Sequence, residues 1–158
     1  MSPEYRAPLL GKGLRFAIIT ARFNDLVTSR LQAGAKQALL DRGAREQDID
    51  FLSTPGAFEI PLVAKVAAQT GRYAGIVCLG AVIRGETDHY QHVSACAIQG
   101  IARVALDTGV PVSLGILTTE NIDQALVRAG SGSSNKGHEA ALAALEMANL
   151  LRDLVKAK

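Results

Sequence analysis

The chain of 158 residues contains no tryptophan, and aromatic residues of every kind amount to seven side chains. A core with so few rings must be filled by smaller groups, and alanine supplies 25 of them. Small side chains remove less apolar area from water, at roughly 25 cal/mol per Å², and let helices approach closely. Burial against neighbouring subunits is therefore expected. Charge of one sign is also lacking: 17 Lys and Arg stand against 15 Asp and Glu, a net +2, which excludes a polycationic nucleic-acid binder. At 48% hydrophobic and 20% charged residues, the composition excludes intrinsic disorder. No apolar run approaches the roughly 18 residues that span a bilayer. Met1 to Arg6 lacks the apolar region of a secretory signal. The two cysteines, Cys78 and Cys96, have no metal or redox spacing and read as reduced packing residues of a cytoplasmic protein. The length suits one domain over residues 1–158, with residues 1–10 as an N-terminal arm.

What is present is an alternation of short apolar runs and longer segments of helical period. Phe16 to Ile19, Ile49 to Leu52, Ile76 to Leu79 and Val110 to Leu117 read as strands, too short and too continuously apolar for core helices. Stripes at Leu31/Ala35/Ala38/Leu39, Ile60/Ala64/Ala67 and Val93/Ala97/Ile101/Ala105 predict helices between them. A short helix over Ile122 to Arg128 and a long one over His138 to Val155 complete the series. Gly43, Gly71 and Gly109 follow helical stretches, where a left-handed residue closes the last turn. This grammar predicts an α/β fold of three layers, a mainly parallel four-stranded sheet with helices on both faces. Tyr5 to Leu10 is a further candidate edge strand, although Pro3 and Pro8 restrict its ladder.

In open parallel sheets ligands bind beyond the carboxyl ends of the strands. The junction Gly80 to Tyr90 is the richest: a glycine-bearing turn leads into a helix start whose free N–H groups, with the Thr87 hydroxyl, suit a phosphate. His89 lies in the first turn, an imidazole that can serve as a base or proton shuttle. The competing reading makes Asp88 and Gln91 a capping box and His89 an ordinary exposed residue. At Ser53 to Pro61, Gly56 allows close backbone approach, Phe58 offers a ring face and Glu59 can accept from ligand hydroxyls; alternatively Glu59 is an acid favoured by the helix dipole. Phe23 at the end of the first strand is a stacking surface for a flat heterocycle or a core packing residue. Arg128 to Gly137, a small-residue loop bounded by two cations, is an anion-site candidate or a plain connector. No dinucleotide or P-loop glycine fingerprint, no serine elbow and no metal-ligand spacing is present, so neither a cofactor nor a metal is expected.

Four separated strings in one order resemble the 6,7-dimethyl-8-ribityllumazine synthase family of riboflavin biosynthesis: Ala21-Arg22-Phe23-Asn24, Pro55 to Pro61, Gly80 to Tyr90, and Arg128-Ala129-Gly130 with Asn135-Lys136-Gly137. The resemblance covers about Leu10 to Leu151. It implies a flavodoxin-like fold and condensation of 5-amino-6-(D-ribitylamino)uracil with 3,4-dihydroxy-2-butanone 4-phosphate, releasing phosphate and water. It further implies that Phe23 stacks on the pyrimidine and that Ala57, Glu59 and Ala81, Val82 and Ile83 hold the ring and ribityl chain, alongside the ring face already noted at Phe58. Glu86, Thr87 and Arg128 match phosphate-binding positions, His89 the proton-transfer residue, and Lys136 and Glu139 positions near the site. Leu114 stands where many members carry an aromatic residue, which keeps an apolar wall but forfeits stacking.

The same resemblance implies a homo-oligomer, a pentamer or a 60-subunit shell, whose active sites lie at subunit interfaces, with riboflavin synthase as a possible partner. Nucleic acid and membrane are not expected partners. Two other readings stand beside it. A flavin-binding module without condensation activity accounts for Phe23, Gly85 and Thr87 but gives His89 no task. A purely structural cage protein accounts for the alanines and for none of the junctions.

Overall fold

The computed structural model describes residues 1–157. Four strands, β1 (Phe16–Ala21), β2 (Ile49–Thr54), β3 (Gly75–Ile83) and β4 (Val112–Thr119), form one sheet in the order β2-β1-β3-β4, with every pairing parallel. The helices α1 (Asp25–Asp41), α2 (Ile60–Gln69) and α3 (His89–Thr108) make the crossovers between them, and α4 (Ile122–Arg128) and α5 (Lys136–Lys156) follow β4. This is the expected three-layer α/β architecture of flavodoxin-like type.

The central strands are buried on both faces, which is why they read as uninterrupted apolar runs. Phe16, Ile18, Val77 and Leu79 point to a core shared with α1, α4 and α5, while Ala17, Ile19, Ile76 and Cys78 point to a second core against α2 and α3. Burial pushes the Cys78 thiol far up, so it packs as a small hydrophobe. Cys96, by contrast, is exposed on α3 rather than packed.

Glycine sets the spacing of the helices. A Cβ at Gly137 in α5 would overlap the Leu31 carbonyl of α1, and one at Gly100 in α3 would lie 2.7 Å from the Pro61 ring in α2. Gly43, Gly71 and Gly109 close helical stretches at φ 92, 70 and 69°, as their positions predicted.

Three boundaries differ from the sequence reading. β3 runs on through Gly80 to Ile83, because those residues pair with Ile116 to Thr119 of β4; the junction therefore starts at Arg84, not Gly80. β4 begins after Pro111, whose carbonyl accepts from Ile76 but whose nitrogen has no hydrogen to give. Residues 5–10 join no strand in this chain, which corrects the candidate edge strand. Pro8 interrupts the run's donors, and an isolated extended segment gains nothing without a partner. The arm is tied down at its end, where Asn149 Nδ2 donates to the Leu10 carbonyl at 3.0 Å.

Candidate active site

The chain passes from β1 outward to β2 on one side and then returns to β3 on the other. The carboxyl ends of β1 and β3 consequently diverge into helices on opposite faces and leave a crevice between them. A cavity of about 470 Å³ opens there.

Its rim is built by ladder bonds that outlast the strands. Arg22 N–H donates to the Thr54 carbonyl at 2.8 Å and Phe23 N–H to that of Pro55 at 3.1 Å, so the turn after β1 stays zipped to the turn after β2. Phe23 is held out at 72% exposure and Phe58 at 62%. Burying a phenylalanine is worth roughly 1.5–3 kcal/mol, a gain that this chain by itself does not realise at the two rings beside the cavity. The next residue, Asn24, is the only described non-glycine residue with positive φ, at 63°. Asparagine tolerates this conformation, and the resulting turn sends Nδ2 to the Ala81 carbonyl at 2.8 Å, tying β1 to β3 under the cavity.

Ala57 and Glu59 sit in a single 3-10 turn that leads into α2. Glu59 Oε2 accepts from Gly56 N–H at 3.0 Å and steadies that turn, which leaves its other oxygen for a ligand. Glu59 is thus a local brace of its own turn as well as a residue lining the cavity. Gly80 brings β3 against Ala57, where a Cβ would stand 3.4 Å from the alanine methyl. Ala81, Val82 and Ile83 then form the floor.

The loop from Arg84 to Asp88 supplies the polar end. Among the described residues, the N–H groups of Gly85, Glu86 and Thr87 donate to no protein acceptor. Thr87 Oγ1 accepts from His89 N–H at 3.3 Å. His89 opens α3 and lines the cavity with Thr87. The Asp88/Gln91 capping box does not form; Asp88 makes no side-chain cap and instead lies 3.7 Å from Arg84.

The cavity thus collects Phe23, Ala57, Phe58, Glu59, Ala81, Val82, Ile83, Thr87 and His89. The other sequence candidates lie outside it in this chain. Glu86 is exposed on the same loop without lining the cavity. Leu114 is exposed on the edge strand β4, opposite Cys78 in register. Arg128 ends α4, its Nη1 donating to the Gln124 carbonyl at 3.0 Å. Lys136 and Glu139 pair with each other at 2.6 Å in the first turn of α5. Asn135 caps that helix, accepting from Gly137 and His138 N–H and donating to the carbonyls of Arg30 and Gly130, so it fixes the loop that follows Arg128.

Sequence reasoning passed over Asn24 and Val93, which also line the cavity. The signal for Asn24 was an asparagine directly before a helix start, where a side-chain cap is usual; instead it is left-handed and caps nothing with its side chain. It passed over Glu120 as well, whose carboxylate accepts from Arg84 and from the Tyr90 hydroxyl. Those two hydrogen bonds, Arg84 first, hold its carboxyl below the usual range.

No described helix is long and apolar enough to cross a membrane. The family model of 6,7-dimethyl-8-ribityllumazine synthase matches residues 13–152, a stretch that contains all four strands and every residue lining the cavity, and the chain belongs to that family.

Proposed function

We propose that this chain condenses 5-amino-6-(D-ribitylamino)uracil with 3,4-dihydroxy-2-butanone 4-phosphate to 6,7-dimethyl-8-ribityllumazine in riboflavin biosynthesis, in the cytoplasm. The observation that carries this reading is one cavity that gathers an exposed ring, an acid with a free oxygen, a loop of unpaired N–H groups and an imidazole. The pyrimidine stacks on Phe23 beside Phe58, while Ala57, Glu59 and the Ala81–Ile83 floor hold the ring and ribityl chain. The phosphate sits over Glu86 N–H and Thr87.

In this scheme the arylamine attacks the ketone, and His89 delivers a proton to the departing hydroxyl as the imine forms. His89 then takes a proton from the carbon next to the phosphate ester, whose C–O bond breaks. The resulting enol takes a proton on its terminal carbon and becomes a ketone, and attack of the ribitylamine nitrogen on that carbonyl closes the second ring and expels water again. The loop N–H groups, Thr87 and a cation stabilise the leaving phosphate. Holding two reactants together supplies much of the rate, since effective molarities reach about 10⁵ M or more.

The missing wall is best supplied by a second subunit: Leu114, Arg128, Lys136 and Glu139 are exposed and lie away from their own cavity. We place them at the neighbour's site in a pentamer, with the short Gly130–Ser134 connection favouring a 60-subunit shell that could also house riboflavin synthase. Mixing the purified protein with both substrates tests the reaction: lumazine fluorescence should rise with released phosphate. Absence of both signals, with tight riboflavin binding retained, would replace this reading by a flavin-binding module. Native mass measurement decides the assembly.

A further inference from the structure

Every group proposed to meet the phosphate, apart from Arg128, lies on a loop with little backbone support of its own. Gly85 has open space around it, and Glu86 and Thr87 are exposed. Within the loop the side-chain ties are the bond from His89 N–H to Thr87 Oγ1 and the Arg84–Asp88 pair at 3.7 Å; from outside it, one carboxylate receives a side chain from each end. Glu120, just past β4, receives Arg84 Nη1 on Oε2 at 3.1 Å and the Tyr90 hydroxyl on Oε1 at 3.0 Å. Arg84 precedes the loop and Tyr90 follows it in the first turn of α3. The Arg84 guanidinium also lies 5.8 Å from the centre of the Tyr90 ring, which closes the triangle.

Glu120 itself is fixed from behind. Its N–H donates to Gln124 Oε1 at 2.8 Å, and the Thr119 carbonyl beside it accepts from Arg84 N–H at 2.9 Å. An exposed ion pair alone commonly contributes little. Here the second bond goes to Tyr90, which is only 8% exposed, so the carboxylate joins a loop end to a buried wall of the cavity.

We propose that Glu120 is a positioning residue that holds the Gly85–Thr87 loop in the conformation that receives the substrate's phosphate. The inference rests on the condensation proposed above. It acts before binding: a loop already ordered loses less conformational entropy when phosphate arrives. Glu120 does not line the cavity, so its removal should affect phosphate recognition and leave pyrimidine recognition alone.

The test compares the assembled wild-type protein with Glu120→Ala and Arg84→Ala, singly and together. In Glu120→Ala the KM for the butanone phosphate should rise about fivefold or more, the loss of one exposed ion pair and one hydrogen bond. The KM for the pyrimidine and kcat should stay within about twofold. Amides 85–89 should exchange hydrogen faster, and the double variant should be little worse than either single one. A KM that is unchanged or lower, or both KM values and kcat changing in proportion with the melting temperature, overturns the proposal. Should the wild type form no lumazine, the reaction assignment fails by itself. Inorganic phosphate titration and amide exchange still judge the loop, and equal values in wild type and Glu120→Ala overturn the positioning role.

Discussion

Asn135→Ala is expected to be among the costliest single changes in the chain, and the structure sets its size. Asn135 is 3% exposed, so water cannot replace its bonds. Its Oδ1 accepts from Gly137 and His138 N–H at 2.8 and 3.1 Å, the N-cap of α5, and losing such a cap costs about 1 kcal/mol. Its Nδ2 donates to the Gly130 carbonyl at 2.8 Å; stranding that acceptor costs about 1 kcal/mol more. The bond to the Arg30 carbonyl at 3.0 Å matters less, because that oxygen lies within α1 and keeps a helical donor; we assign it about 0.5 kcal/mol. With the space left by the amide the total is about 3 kcal/mol, a fall of about 6–12 °C in Tm for a chain of this size. Asn135→Ser keeps a good N-cap but not the two donated bonds, and should lose about 2 kcal/mol. Urea unfolding followed by circular dichroism, at one protein concentration because assembly contributes to stability, measures both. An alanine variant within 1 kcal/mol of wild type, or a serine variant no better than alanine, would refute the reasoning.

A coupled prediction concerns Gly34, whose absent Cβ leaves the room that the Asn135 amide fills: Gly34→Ala should be strongly destabilising alone and much less so in the Asn135→Ala background, as a double-mutant cycle would show. His89→Ala should slow turnover by about a hundredfold or more without abolishing it, since approximation of the reactants survives; a wild-type rate would remove His89 from the mechanism. Phe23→Ala should raise the KM for the pyrimidine about tenfold and leave Tm nearly unchanged, because an exposed ring contributes stacking to the ligand and little to the core. The Tyr73 hydroxyl, and then Arg15, hold the Asp50 carboxyl below its usual value of 3.8. The carboxylate therefore contributes stability that is full above 3.8 and is lost as pH falls from there through the lower folded value, so Tyr73→Phe should flatten the decline of stability in acid; an unchanged acid limb would count against the pairing.

The strands were readable where one physical cause dominated. β1 and β3 are buried on both faces, and nothing but an apolar run can serve there. The extension of β3 was hidden because Gly80 looks like a turn; it belongs to the strand because it pairs with Ile116 of β4, a partner distant in sequence. The failed cap at Asp88 has a similar origin. Its carboxylate faces Arg84, four residues back, and local pattern does not say which of two local partners an acid will take. Asn121 and Asn135, with no such competitor, cap α4 and α5 as asparagines are expected to do. Within the site, contiguous strings such as Ala57–Glu59 and Thr87–His89 came together because a short turn forces neighbours to share a rim. Glu120 was illegible because its partners lie 36 and 30 residues away and the meeting depends on β3 and β4 ending in register.

The scarcity of large side chains and the incompleteness of the cavity have a common cause. Alanine and glycine let α1 and α5 cover one face of the sheet closely, so that face needs few rings, and of the seven aromatic residues only Phe16, Tyr73 and Tyr90 are buried. Phe23 and Phe58 remain outside together with Leu62, Val66, Leu114 and Val127, apolar groups whose burial a lone chain does not realise. On the proposed reading these fall into two sets, rings that wait for a flat substrate and aliphatic groups that wait for a neighbouring subunit. The residues that would complete the cavity, Arg128 and Lys136, lie outside it in the lone chain and beside the loop that Asn135 fixes. Assembly would therefore bury the aliphatic set and deliver the cations in one step, and a dilution series that separates subunits should lose activity and the remaining burial together.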